Sequence, residues 1–120
     1  MPIVNAHCSD KAYCPDLLEK LRNELGEILA RALSVSGAKL NKKNIKIFFS
    51  KNGPYDVCDE DLVIHIFAND FEERRASIET NTKDAAEEIQ KLIASVSWPD
   101  GNPVHGFIYP FMGAGEVGKF

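Results

Sequence analysis

No stretch of this 120-residue chain approaches the roughly 18 consecutive apolar residues that a membrane-spanning helix needs. Its first residues carry neither the basic segment nor the long apolar segment of a secretory signal. Both absences lead us to expect a cytoplasmic protein with reduced thiols and no membrane partner. Positive charge is also scarce: 14 Lys and Arg face 18 Asp and Glu, a formal net charge of −4. With no basic patch, nucleic acid is not an expected partner. Cysteine is limited to Cys8, Cys14 and Cys58, an odd number without CxxC spacing. His7, Cys8 and Cys14 lack a second ligand pair at zinc-site spacing, so no metal is expected and the cysteines read as ordinary thiols.

What is present is a globular balance, with 44% hydrophobic and 27% charged residues. The length suits one domain, 1–120, with a substantial core. The opening MPIVNAHC reads as a strand that begins almost at once. Pro2 can open a strand because it has no N–H to leave unpaired. Pro15 suits the first position of a helix, with Asp16 and Glu19 at the positive end of its dipole. Leu17, Leu18, Leu21, Leu25, Ile28, Leu29, Ala32 and Leu33 follow at helical spacing, and Ser36-Gly37 supplies a stop.

Asn44 to Ser50 alternates, with Ile45, Ile47 and Phe49 on one face and Lys46 and Phe48 on the other. Asn52-Gly53-Pro54 marks a turn. Leu62 to Ala68 is almost continuously apolar and predicts a strand buried on both faces. Asp70 and Glu73 offer a capping box for a second helix. Its inner stripe contains Ile78, Thr82, Ala85, Ala86, Ile89, Leu92, Ile93 and Val96. A last strand is expected from Val104 to Tyr109, stopped by Pro110, before a glycine-rich tail.

The order is β-α-β twice, and Ile3 to Ile45 spans 42 positions, as does Leu62 to Val104. The halves, 1–52 and 60–111 with a tail at 112–120, predict an α/β (α+β) protein. Right-handed crossovers place two helices on one face of a four-stranded mixed sheet. The other face is left apolar, with Phe48, Ile64, Ile66 and Phe107 as candidates to line it. Such a face normally marks an interface, so a homo-oligomer is expected.

MPIVNA, NIKIF, the repeat length and the tail EVGKF together resemble the tautomerase superfamily, which contains oxalocrotonate tautomerase, macrophage migration inhibitory factor and cis-chloroacrylic acid dehalogenase. The ferredoxin-like fold shares the element order. The resemblance implies a cofactor-free homotrimer that isomerises a small 2-oxo or unsaturated carboxylic acid. It implies removal of Met1 and a general base at Pro2. Lys46 stands where a substrate-binding arginine is found. Lys39, Tyr109 and Glu116 match further substrate-site positions, Glu116 being the water-activating acid of the dehalogenase branch. After strand three this chain reads Ala68-Asn69-Asp70 where dehalogenases carry arginines, which argues against hydrolytic dehalogenation. Lysine at position 46 gives up bidentate carboxylate binding.

Each residue also has a plainer reading. Pro2 is then a strand opener, Lys46 a solvated side chain, Tyr109 an interface or core aromatic and Glu116 a surface charge. His65 reads better as a core or interface histidine than as a catalyst. The rival function is a non-catalytic binding or assembly module on this fold or a ferredoxin-like one.

Overall fold

The computed structural model describes residues 2–115 and 117–120. Its elements are β1 (Ile3–Cys8), α1 (Pro15–Leu33), a short 3-10 turn (Lys42–Asn44), β2 (Lys46–Lys51), β3 (Leu62–Asn69), α2 (Glu72–Ala94) and β4 (Gly106–Gly113). The strands pair in the order β2-β1-β3-β4. β1 is parallel to β2 and β3 to β4, while β1 and β3 run antiparallel. This is the expected mixed sheet of two β-α-β units.

α1 begins at Pro15, where the missing N–H costs nothing, with Asp16 in its first turn and Arg31 in its last. Leu17, Leu21, Leu25, Leu29 and Leu33 form a ladder along one face, and all are buried. Burying each such side chain contributes about 1.5–3 kcal/mol. They share one core with Val4, Ala6 and Cys8 of β1 and with Ile64 and Ile66 of β3. α2 commits less to that core: only Arg74, Ala85, Ile89 and Ile93 are buried along it. Between its second half and the start of β3 and β4 lies a cleft of about 600 Å³, lined by Leu62, Ile64, Ile89, Ile93, Val104 and Ile108 among others.

Several local expectations change. β3 alternates buried and partly open positions instead of being buried on both faces. Ile64 and Ile66 therefore face the helices, not the uncovered side, because both belong to the buried set of that alternation. Pro110 does not stop the last strand but lies within β4. β4 is an edge strand, where a missing N–H on the unpaired side leaves no partner unsatisfied. The capping box also fails to form. Phe71 precedes α2 without a side-chain cap, and Asp70 instead pairs with Arg75 at 2.7 Å. Glu73 accepts hydrogen bonds from the Ser36 N–H at 3.0 Å and hydroxyl at 2.8 Å. Those bonds, the backbone one first, hold its carboxyl below the usual carboxylate range.

The paired positions fall slightly later than the 42-residue spacing. Ile3 stands opposite Lys46, and Leu62 opposite Gly106. Gly106 is needed there because a Cβ would lie 1.6 Å from the carbonyl oxygen of Leu62. Backbone cannot rotate away as a side chain can, so the pairing itself must shift. Gly106→Ala should cost about 1–3 kcal/mol by overpacking. Chemical denaturation measures this, and an unchanged midpoint would contradict the close approach.

Cys8 is fully buried at the end of β1. Burial, with Cys14 nearby, pushes its thiol from an ordinary 9.0 up to about 11. The folded state therefore holds that proton more tightly than the unfolded chain does. The associated stability is complete below the unfolded value and declines as pH rises from about 9 towards about 11. Exposed Cys58 should be alkylated by iodoacetamide at pH 8 while Cys8 stays intact. Peptide mass spectrometry checks this, and comparable labelling of both thiols would be the contrary result.

Candidate active site

Pro2 immediately precedes β1 and is buried. Its carbonyl accepts a hydrogen bond from the Lys46 N–H at 3.1 Å, which ties the start of β1 to the start of β2. The neighbouring helix-side residues, Val4, Ile45 and Ala68, are buried and apolar. Strand alternation places Pro2 with this set.

Cationic side chains gather at the same end of the sheet, from three directions. Lys46 opens β2 and is exposed. As the partner of Ile3, it belongs to the open face, opposite the side on which Pro2 is buried. Lys39 is exposed in the loop that returns from α1 to β2 at this end. Arg74, from the first turns of α2, is 3% exposed. Its Nε donates to the Leu33 carbonyl at 2.9 Å and its Nη1 to the Asn69 carbonyl at 2.6 Å. The guanidinium also lies 5.0 Å from the Phe71 ring. Burial lowers its pKa from the ordinary arginine value.

The bonding of Arg74 is hidden in the sequence, where an arginine between Glu73 and Arg75 at a helix start reads as a solvated side chain. The available signal was an arginine one turn into a helix that follows a buried strand. From there it can turn back towards the strand end.

Tyr109 lies elsewhere, in the middle of the open face opposite His65. Glu116 falls outside the described residues. The structure thus brings Pro2 and Lys46 into backbone contact, sets Lys39 at the same end and leaves Tyr109 away from them within the chain.

The uncovered face is ordered in rows by the strand register. Lys46, Ile3, Phe67 and Phe111 form the first, Phe48, Asn5, His65 and Tyr109 the second, and Ser50, His7, Val63 and Phe107 the third. Phe67 and Phe111 stack at 5.3 Å. Phe48 remains 57% exposed and Phe107 52%, so a broad aromatic surface faces outward. Phe48 and Phe107 are on this side as expected.

No protein-family model matches the chain, and no curated protein matches it. Solved structures do. FG41 malonate semialdehyde decarboxylase inhibited by 3-bromopropiolate aligns with a TM-score of 0.58 at 13% identity, covering 93% of this chain and 83% of that one. Leishmania major MIF2 aligns with a TM-score of 0.48 at 14% identity, covering 98% and 95%. A fused 4-OT symmetric trimer gives 0.47 at 12% identity, covering 92% and 85%. The strand order, the two helices on one face and the alignment with the decarboxylase, over 93% of this chain and 83% of that one, lead to one conclusion: this chain has the tautomerase-like fold of that protein.

Proposed function

We propose that the protein is a cofactor-free tautomerase or isomerase of a small 2-oxo or unsaturated carboxylic acid, with Pro2 as general base once Met1 is removed. The observation that carries this reading is the burial of Pro2 at the head of β1 among apolar neighbours, at the end of the sheet where the exposed Lys39 and Lys46 also lie. A free α-amino group titrates near ~7.7–8. Apolar surroundings disfavour its charged form, which makes a neutral amine available at physiological pH. That amine takes a proton from the carbon beside the substrate's carbonyl and returns it at another position. A cation stabilises the enolate oxygen as charge develops on it.

Lys46 is the side chain assigned to the substrate carboxylate, with Lys39 as a second cation at that end. Reaching substrate beside Pro2 requires the Lys46 chain to bend round the end of the sheet, which a four-carbon stem allows. In this reading Tyr109 and Glu116 act on substrate in a site formed between subunits. The open face supports self-association: Ile3, Phe48, Phe67, Phe107, Tyr109 and Phe111 are all exposed on it. Subunits that bury this face form a homotrimer, and the reading places the protein in the cytoplasm.

The test has three parts. Intact-mass spectrometry of untagged protein should show loss of Met1; a retained Met1 would make the Pro2 nitrogen an amide and end the prolyl-base mechanism. Ketonisation of phenylenolpyruvate should be detected for the processed protein, and its absence across several 2-oxo and unsaturated acids favours the binding-module alternative. Light scattering at micromolar concentration should give three times the chain mass. A monomer would contradict burial of the open face.

A further inference from the structure

Near the centre of the open face are two histidines that the proposed reaction does not use. Position 7 of β1 lies opposite Val63, and Asn5 lies opposite His65, so the two imidazoles are diagonal neighbours on antiparallel strands. Their ring centroids are 5.1 Å apart, with the planes inclined at 63°. His7 is oriented by a hydrogen bond between Nδ1 and the Ser50 hydroxyl at 3.0 Å. In the tautomer whose Nδ1–H donates to Ser50 Oγ, Nε2 keeps its lone pair free. His65 makes no hydrogen bond to another described side chain, and its ring is packed among Phe67, Tyr109 and Phe111.

The geometry points to a transition-metal site at His7 and His65, taking a divalent ion of the zinc or copper class. A zinc-type ion lies about 2.0–2.1 Å from each ligating nitrogen, and therefore about 3.2 Å from each ring centroid. Two imidazoles arranged tetrahedrally on such an ion then have centroids about 5 Å apart. The observed ring spacing of 5.1 Å is therefore that of two imidazoles on a shared ion. The Ser50 hydroxyl plays the part that outer hydrogen-bond partners play for ligating histidines: it holds the ring orientation and tautomer. No third His, Cys, Asp or Glu side chain joins the pair among the described residues, so the remaining positions are left to water or to groups of an adjoining subunit. Neutral nitrogen ligands without a carboxylate select copper and zinc over magnesium or calcium, which prefer oxygen.

The site is separate from the proposed reaction, since Pro2 is buried on the helix side and the histidines stand on the open face. Its sequence signal was hidden because His7 and His65 are 58 positions apart and only strand pairing makes them neighbours.

Isothermal titration of the full chain with Zn²⁺, Cu²⁺ and Mg²⁺ tests the proposal. Cys14→Ser and Cys58→Ser are included in the background to remove competing thiols. The expected result is one Zn²⁺ or Cu²⁺ per chain, copper binding more tightly and magnesium not at all. His7→Ala and His65→Ala should each weaken binding at least tenfold, and Ser50→Ala should weaken it by about tenfold while both ligands remain. The Cu²⁺ electron paramagnetic resonance spectrum should show coupling to imidazole nitrogen that either histidine replacement reduces. Circular dichroism accompanies each variant, and His7→Gln and His65→Gln replace any alanine variant that fails to fold. No saturable binding, or binding unchanged in both histidine variants, overturns the proposal. Light scattering with and without Zn²⁺ runs alongside, so that failure of self-association is distinguished from failure of the metal site.

Discussion

Pro2→Ala in protein that has lost Met1 should lower kcat/KM for phenylenolpyruvate ketonisation by about a hundredfold or more, within the range of a positioned general base. Alanine still presents an amine after Met1 removal, so what is lost is the ring. The five-membered ring fixes the nitrogen relative to β1 and makes it a secondary amine. A primary amine on a freely rotating Cα keeps neither property. The loss should appear mainly in kcat, because the base acts on a proton in flight and contributes little to substrate binding. Lys46→Ala should behave differently. Removing a charge-assisted hydrogen bond to a carboxylate raises KM by about tenfold or more, with a smaller effect on kcat. Equal rates for wild type and Pro2→Ala would remove the catalytic assignment even if turnover is present. A Lys46→Ala enzyme with unchanged KM would transfer the carboxylate to another cation at that end, with Lys39 the next to test.

The second large effect concerns stability. Arg74→Met keeps much of the side-chain volume but removes the donors to the Leu33 and Asn69 carbonyls. Leu33 ends α1, and its carbonyl is among those that the helix cannot satisfy internally. Asn69 ends β3. One guanidinium therefore joins the end of the first crossover helix to the end of the third strand, from a position where it is itself 3% exposed. Hydrogen bonds involving a charged group contribute about 1.5–3 kcal/mol, and leaving buried carbonyls without donors adds to the loss. Arg74→Met should therefore lower stability by about 2–4 kcal/mol. Arg74 uses two separate guanidinium nitrogens where lysine offers a single ammonium, so Arg74→Lys should rescue little. Arg75→Met is the control, since Arg75 bonds to exposed Asp70 and is itself exposed. Urea denaturation of the three variants measures the difference. Equal midpoints for the position-74 and position-75 variants would show that Arg74 carries no special structural role.

Much of the fold follows from patterns that act locally. The leucine spacing from Leu17 to Leu33 needs only the helical period to be read, and Pro15 marks its start because the ring suits only a first turn. The alternation of Ile45, Ile47 and Phe49 places Lys46 and Phe48 on the opposite face without knowledge of any partner strand. The two β-α-β units then follow from the handedness of crossovers. Where the reading failed, a local rule met a stronger partner elsewhere. Asp70 and Glu73 satisfied the capping-box pattern, yet both carboxylates found better donors, Arg75 and Ser36. Pro110 looked like a strand end because sequence does not show which strand is at the edge.

The candidate site divides along the same line. Sequence alone determined that a proline directly follows Met1, that Lys46 begins an alternating strand and that one sheet face would be apolar. Only the tertiary structure decided that Pro2 is buried on the helix side while Lys46 emerges on the other. It also decided that Arg74 turns back into the protein, and that His7 and His65 meet. The physical reason is that side-chain direction along a strand has a period of two and is legible in the chain. Which residues become neighbours across strands depends on register, and register is set by packing among segments distant in sequence.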